Sequence, residues 1–409
     1  METRAMMTAA PKVVGERLAL ARRARGLTQQ QAAEALGVAR TTITAMEKGD
    51  RRPQAAELFV LARLYGRQLG DLVRPLREGE TPGFVVQFRA ALAGESAATE
   101  SKRAQDIQRF ESFCRWYVEL EQMLDAPLPT RYPEQYDVAG TNPERAADAV
   151  ATAERNRLGL GDGPLGDLWS LLEGDVGLRI FAFPMRDSRI AGMFVASSDL
   201  GGCIAVNANH PLGRQRWTLA HEYWHFLTDR FRAEISVLRG GRVPANERAA
   251  DAFARHFLMP ASGLTRRFLN VKQAKDGPIT PADVMTLAHL YGVSTEAMTL
   301  RLEELDLLKP GTWDSLKDKG FKPEEARKLV ALPEREQPRS GQPFRYETLA
   351  SRAFAEALIS EGQLARMLDT DRISAVLLAD ERSRDEQAAE PGEWRQVPID
   401  LGRALIDVG

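Results

Sequence analysis

The chain has very little cysteine and no long apolar run. Only Cys114 and Cys203 occur among its 409 residues. Two cysteines so far apart cannot make a disulfide framework or a cysteine zinc site, and they favour a reducing cytosol. No segment is apolar over the roughly 18 residues that a membrane helix needs, and the first residues lack the apolar core of a signal peptide. We therefore expect a cytoplasmic protein with no membrane partner, built from two or three domains.

Charge is nearly balanced overall but unevenly distributed. Residues 1–74 contain 13 Lys and Arg against 7 Asp and Glu, so a net charge of +6 there leaves −8 on the rest of a chain whose total is −2. A basic first domain on an otherwise acidic chain indicates a polyanion partner for that domain. The charge by itself supports this only weakly, because many solvated helices are basic.

Apolar periodicity and glycine or proline breakers divide the first 75 residues into five short helices. They are predicted at about 13–24, 28–35, 39–48, 54–65 and 68–73. A three-residue turn at 37–39 joins the second and third helices, which is helix-turn-helix spacing. We predict an all-α, five-helix DNA-binding domain, with a helical protein-binding domain as the alternative.

These residues resemble the phage-repressor, or XRE-type, helix-turn-helix domain. The resemblance is carried by Arg17-Leu18, Arg22, Gly26-Leu27-Thr28-Gln29, Ala32, Leu36-Gly37-Val38, Ile43, Glu47, Gly49 and Pro53. It implies that the third helix enters the major groove of a double-stranded DNA operator. The expected DNA contacts are Gln29, Arg40, Thr41, Thr42 and Thr44.

Within this domain, Glu47 is expected to pair with Arg22 and hold helices together rather than contact DNA. Thr28 is placed to cap the second helix. Ala39 stands where a Ser or Thr cap is usual, so the third helix, which carries the expected DNA contacts, can begin at residue 40 instead of 39.

The residues 216–225 read RWTLAHEYWH, and His221, Glu222 and His225 have the spacing of a zinc hydrolase helix. Two histidines four residues apart lie on one face of a helix and can bind one metal ion. Glu222 then lies where a carboxylate can take a proton from bound water. The pentapeptide alone is weak support, because it recurs by chance and a buried structural histidine pair is the alternative.

A second helix supplies the third ligand. Glu247 opens a stretch whose apolar residues have helical spacing, which allows this helix to pack on the first and direct Glu247 at the metal. Asp251, on the same face, is placed to accept the free N–H of a ligand histidine. Two histidines and one glutamate leave one coordination position for water, which is the catalytic pattern.

Here the sequence resembles the ImmA/IrrE metallopeptidases of bacteria and phages. The resemblance is carried by Ile204-Ala-Val-Asn207, Pro211, Arg214 to His225 and Glu247 to Pro260. It implies a small mixed sheet packed on the zinc helices, with a water-filled cleft. It also implies that His221, His225 and Glu247 bind Zn²⁺ and that Glu222 is the general base.

The predicted fold class is α+β. We expect a helix-turn-helix domain at 1–75, a helical linker at 76–165, a mainly helical zincin-like metallopeptidase domain with a small mixed sheet at 166–308, and a mostly helical region at 309–409. An apolar stripe along 107–124 indicates core or a dimer surface. Residues 279–308 also have helix-turn-helix spacing, but their acidic outward residues would repel phosphate, so we expect them to close the metallopeptidase fold.

The two domains together predict a nucleoid-associated transcriptional regulator, bacterial or phage-encoded, that contains a zinc metallopeptidase. It is expected to control a stress, phage or mobile-element response as a homodimer. The expected substrate is a helix-turn-helix repressor, either a separate protein or this chain, cut within residues 65–100. Two alternatives remain: the zincin-like domain is a ligand or metal sensor without proteolysis, or the first domain restrains a toxic protease.

Overall fold

The computed structural model describes most of the chain, and the expected cleavage segment falls largely outside the described part. Described are residues 11–25, 27–65, 69–73, 97–230, 234–237, 244–275, 277–330, 332–333, 339 and 341–385. They divide into two compact units. The first comprises Met1–Glu119 and Pro127–Pro343, and the second comprises Leu120–Ala126 and Phe344–Gly409.

Five N-terminal helices surround a small core of their own. They are α1 (Pro11–Ala24), α2 (Gln29–Leu36), α3 (Arg40–Lys48), α4 (Ala55–Tyr65) and α5 (Leu69–Val73). The core contains Leu18 of α1, Ile43 and Met46 of α3, and Leu61 of α4. All five helices lie where the breakers in the sequence predict them.

The ends of α2 and α3 follow from their capping residues. The side chain of Thr28 accepts a hydrogen bond from the backbone N–H of Gln31 at 3.1 Å, as its role as a cap requires. Gly37 ends α2 in the left-handed region, with φ 68°, which begins the turn into α3. Ala39 is extended and makes no side-chain cap hydrogen bond, and α3 begins at Arg40, one residue later than the predicted 39.

Helix α6 (Ala97–Met123) covers strand β1 (Arg179–Phe183) with its aromatic stripe. The ring of Phe113 stacks on Phe181, with centroids 5.7 Å apart, and both side chains are buried. Cys114 on the same helix is also buried, and this burial, together with a hydrogen bond to the Cys203 thiol, raises its pKa. This part of the stripe is therefore core rather than a dimer surface.

The four described strands form one mixed sheet. The other strands are β2 (Ile190–Ser197), β3 (Gly201–Asn207) and β4 (Glu234–Val237), and the order is β1-β3-β2-β4. Strand β1 runs parallel to β3, whereas β2 runs antiparallel to both β3 and β4. Strands β1 and β2 are buried along their whole length, and β3 from its second residue onward.

Helices α7 (Pro143–Arg157), α9 (Leu212–Thr228) and α10 (Ala245–Leu258) form the main core with the sheet. Buried Glu154 of α7 accepts hydrogen bonds from Tyr136 Oη at 2.8 Å, from Arg157 Nη2 at 2.8 Å and from the hydroxyl of Tyr223 on α9. The network links α9 to α7 through Tyr223, and its hydrogen bonds satisfy a carboxylate whose burial would otherwise be costly.

The remaining helices follow in chain order. They are α8 (Leu168–Ser170), which continues as a π-helical turn (Leu171–Val176), α11 (Ala261–Gln273), α12 (Pro281–Tyr291), α13 (Thr295–Glu304), α14 (Thr312–Asp318), α15 (Pro323–Leu329), α16 (Phe344–Ala355), α17 (Glu361–Met367) and α18 (Arg372–Asp385). Two acidic side chains of α13, Glu296 and Glu303, accept hydrogen bonds from Trp313 of α14, from its indole and its backbone N–H respectively. These two glutamates therefore hold α14 against α13.

The observed class is the predicted α+β: along the chain, helical N- and C-terminal parts flank a part that contains one small mixed sheet. The second unit packs α16, α17 and α18 around a core that includes Tyr346, Leu364 and Ala375. None of the helices in the described part of the chain has both the length and the apolar character that a membrane crossing requires.

Candidate metal centre and nucleic-acid interface

Three side chains from α9 and α10 meet at one point. The Nε2 atoms of His221 and His225 lie 3.3 Å apart, and the carboxylate oxygens of Glu247 lie 3.4 Å from the first and 3.6 Å from the second. A zinc ion bound tetrahedrally at 2.0–2.1 Å requires donor atoms about 3.3 Å apart. This donor triangle, His221, His225 and Glu247, therefore has the size and the chemistry that a zinc ion needs.

Helix geometry explains how the donor triangle is assembled. His221 and His225 are one turn apart on α9, so their imidazoles extend from the same side of the helix. Glu247 lies in the first turn of α10, where the helix dipole favours a negative charge. Glu222 follows the first histidine and is completely buried, with its carboxylate against strand β2.

The other ring nitrogen of each imidazole also has a neighbour. His221 Nδ1 lies 3.0 Å from Asp251 Oδ1, and Trp217 Nε1 donates to the same oxygen at 3.3 Å. His225 Nδ1 lies 3.4 Å from the Asn246 side-chain amide. Such contacts orient ligand histidines and tune their basicity.

Asp251 is thus placed beside His221, whereas Trp217 and Asn246 were not singled out from the sequence. Trp217 lies four residues before His221, so helical spacing places it on the same face of α9 as the two histidines. For Asn246, the one signal available was that it directly precedes Glu247.

Electrostatics show that the donor triangle favours a cation at its centre. Burial alone would lower the pKa of His221, but hydrogen bonds to Asp251 and Glu247 outweigh it and raise this pKa to about 10. Burial would likewise raise the pKa of Glu247, yet its hydrogen bond to His221 holds that pKa below its usual value. Without a metal, a proton on His221 compensates the clustered carboxylates.

A second group of possible donors comprises Glu144, His256 and Glu304, on another face of α10. Arginine side chains already neutralise these carboxylates. Arg255 pairs with both glutamates, and Arg301 Nη1 lies 3.0 Å from Glu304 Oε2. This group is therefore an ion-pair network rather than a metal centre.

In the N-terminal helices, Glu47 fixes the positions of two side chains. Its carboxylate accepts hydrogen bonds from Arg22 Nε at 2.5 Å and Nη2 at 2.9 Å, and from Gln29 Nε2 at 2.9 Å. The Thr44 hydroxyl donates to Gln29 Oε1 at 3.1 Å. Gln29 at the start of α2 is therefore oriented by two contacts from α3.

The other expected DNA contacts are on α3 itself. Arg40 and Thr41 are exposed, whereas Thr42 and Thr44 are half-buried. Together with Gln29, they place one basic and several hydroxyl or amide groups at the first turns of α2 and α3. Groups of this kind contact phosphates and base edges in the major groove.

The fold and the two sites define a helix-turn-helix domain joined to a metallopeptidase-like domain. Residues 18–72 match the helix-turn-helix family model, and residues 173–303 match the model described as IrrE N-terminal-like domain, of the Peptidase_M78 family. The chain therefore combines an XRE-type helix-turn-helix domain with an IrrE/ImmA-like domain, which confirms the resemblance inferred from its motifs.

No curated protein sequence matches the chain. Among solved structures, the crystal structure of ComR from Streptococcus suis aligns with 92% of this chain and 96% of that chain at 10% sequence identity, with a TM-score of 0.15. A TM-score this low supports no argument about fold or function.

Proposed function

We propose that this chain is a DNA-binding transcriptional regulator whose metallopeptidase domain is an active zinc endopeptidase. The observation that carries the proposal is the donor triangle of tetrahedral size, together with the buried carboxylate of Glu222, which interacts electrostatically with His221. A site that only stores a structural metal ion needs four protein ligands and no buried base. Three ligands next to a buried carboxylate are what a hydrolytic site requires.

Each residue then has a defined role. His221, His225 and Glu247 hold the ion, and Asp251 keeps His221 in the orientation and tautomer that ligation needs. Zinc held there supplies a Lewis acid for the peptide carbonyl and makes a water molecule acidic. Glu222 accepts a proton from the attacking water and passes it to the leaving amine.

For the first domain, we propose that α3 lies in the major groove, with Arg40, Thr41, Thr42 and Thr44 facing the DNA and Gln29 contacting its backbone or a base. Repressors of this class bind paired half-sites. We therefore propose a homodimer as the working form, cytoplasmic and nucleoid-associated when it is bound to DNA.

The proposed substrate is a helix-turn-helix repressor, cleaved to release a stress, phage or mobile-element response. The substrate is either a separate protein or this chain within residues 65–100, which connect the two domains in sequence. Joining a DNA reader and a protease in one polypeptide brings the protease to the operators where such repressors are bound, and this is the reason for preferring a repressor over other proteins.

The test compares the wild type with Glu222→Gln. Both are analysed for bound metal and operator binding, and then incubated with purified helix-turn-helix repressors from the same cell, with products identified by mass spectrometry. We expect Glu222→Gln to keep zinc and DNA binding and to lose all products. An exposed glutamate elsewhere, Glu361→Gln, is the matched control.

If the zinc-loaded wild type releases no peptide, the proposed peptidase activity is refuted. If Glu222→Gln also regulates as the wild type does, the metal or ligand sensor becomes the better account, because a sensor has no use for the base.

A further inference from the structure

Strand β2 contains a glycine beside Glu222. A Cβ atom on Gly192 would lie 2.6 Å from Glu222 Oε1 and 2.6 Å from Thr218 Cγ2. Both distances are well below the 3.4 Å at which ordinary contact begins. The volume that a side chain at this position would fill is therefore already occupied, in part by the carboxylate of the proposed base.

Backbone conformation does not explain the glycine. Gly192 has no positive φ angle, so other residues can adopt its conformation. The pairing of β2 with β4 shifts register between Ile190 and Gly192, but the extra residue there is Ala191, and Gly192 pairs with Ser236. Glycine weakens a strand and often marks a close approach by another group. Here the approaching groups come from α9, and Glu222 is one of them.

We propose that Gly192 is a positioning residue for Glu222: by lacking a side chain, it lets the carboxylate lie against β2 beside the donor triangle. The inference rests on the proposed role of Glu222 as base. Oε1 is the mobile end of a flexible side chain, so alanine at 192 displaces the carboxylate more readily than the strand. Restoring ordinary contact moves that oxygen by about 1 Å, and a misplacement of this size costs about a hundredfold in rate.

The first arm of the experiment compares Gly192→Ala with Gly202→Ala. Gly202 is a matched control on β3, because its Cβ would lie 2.4 Å from Leu178 Cδ2 and 3.0 Å from the Phe226 ring, both apolar contacts. With the peptide cleaved in the preceding experiment, we expect Gly192→Ala to lower kcat by about tenfold to a hundredfold, with KM and zinc content close to those of the wild type. Gly202→Ala should lower Tm and leave kcat within about threefold. A normal kcat in Gly192→Ala would overturn the proposal.

The second arm separates positioning from simple packing. Thr218→Ser removes Cγ2, so in that background the two closest contacts that remain for the new Cβ are to Glu222. If packing were the whole effect, Thr218→Ser would restore the kcat of Gly192→Ala. We expect it to restore Tm but not kcat.

In a Glu222→Asp background, the shorter side chain withdraws from β2, so adding Gly192→Ala should cost less than about threefold in kcat. An equal loss in the wild-type and Glu222→Asp backgrounds, or rescue of kcat by Thr218→Ser, would refute positioning.

The third arm does not depend on turnover. The Co²⁺-loaded protein is titrated with acetohydroxamate and followed by visible absorption, because a carboxylate beside the metal accepts the proton of a bound hydroxamate. We expect Gly192→Ala to bind acetohydroxamate about tenfold more weakly than the wild type, corresponding to about 1.4 kcal/mol, and Gly202→Ala to match the wild type. If the wild type cleaves no peptide, the proposed function fails. Equal affinities of the wild type and Gly192→Ala for acetohydroxamate would overturn the role of Gly192, whether or not the protein is a peptidase.

Discussion

Replacing Glu47 with alanine is expected to unfold the N-terminal helices while the metal-centre domain stays folded. The Arg22 and Glu47 side chains are only 9% and 7% exposed, and their ion pair is bidentate. Removing one partner of a buried pair costs about 3–5 kcal/mol, because it leaves a desolvated charge without its counterion. A domain of about sixty residues has only about 3–9 kcal/mol of stability. At the middle of both ranges, the loss is about two thirds of the domain's stability.

Calorimetry of the full chain measures this, because the two hydrophobic cores consist of different residues. We expect the transition of the N-terminal helices to disappear or to shift far downward in Glu47→Ala, and the other transition to stay in place. Operator binding should be lost as well, since the same carboxylate orients Gln29.

Glu57→Ala is the matched control. Glu57 pairs with Arg51 in the same domain through two hydrogen bonds of 2.8 and 3.2 Å, but Arg51 is 37% exposed. Glu57 also accepts the backbone N–H of Gln54 at the start of α4. We expect a loss of about 1 kcal/mol, the sum of a solvated ion pair and a weakened cap. Equal losses in Glu47→Ala and Glu57→Ala would show that burial does not decide the strength of these pairs.

Three further outcomes are expected. Asp251→Asn should weaken zinc binding about tenfold in a chelator competition. This is the smallest effect expected for such a contact, because the Asp251 side chain is 54% exposed. Unchanged zinc affinity would mean that His221 needs no charged neighbour. Burial raises the pKa of Asp106 to about 6, so its stabilising contribution is complete below about pH 4 and lost as pH rises through 6. In urea unfolding between pH 4 and 7, the free energy of unfolding of the wild type should fall by on the order of 3 kcal/mol more than that of Asp106→Asn. Equal falls in the two proteins would contradict this prediction. Arg40→Ala should weaken operator binding by about 1–3 kcal/mol while Arg63→Ala, an exposed arginine on α4, does not; equal losses would place the recognition surface elsewhere.

The sequence predicted the local elements well because their signals are local. Glycine and proline breakers mark the five N-terminal helices, and Thr28 caps α2 as its position implies. Each of the five helices begins within two residues of its predicted start. Helical periodicity likewise places His221 and His225 on one face of α9.

Local sequence signals could not predict the contacts between elements that are distant in sequence. The packing of α6 on β1 decides that its stripe is core. The packing of α6 on the sheet also brings the free thiol of Cys114 within hydrogen-bond reach of the free thiol of Cys203 on β3. Asn246 contacts His225 because α10 crosses α9 at that point, and no periodicity records where two helices cross.

By itself, the sequence determined the candidates for the chemistry: the two histidines and Glu222 through helical spacing, and Glu247 through a second periodic segment. Only the tertiary structure decided that Glu247 lies within 3.4–3.6 Å of both imidazoles, a distance that fits one zinc ion. It also decided that Gly192 makes room for Glu222. The physical reason is that spacing along a chain fixes directions within one helix, whereas the distance between elements depends on how their side chains fill the space between them.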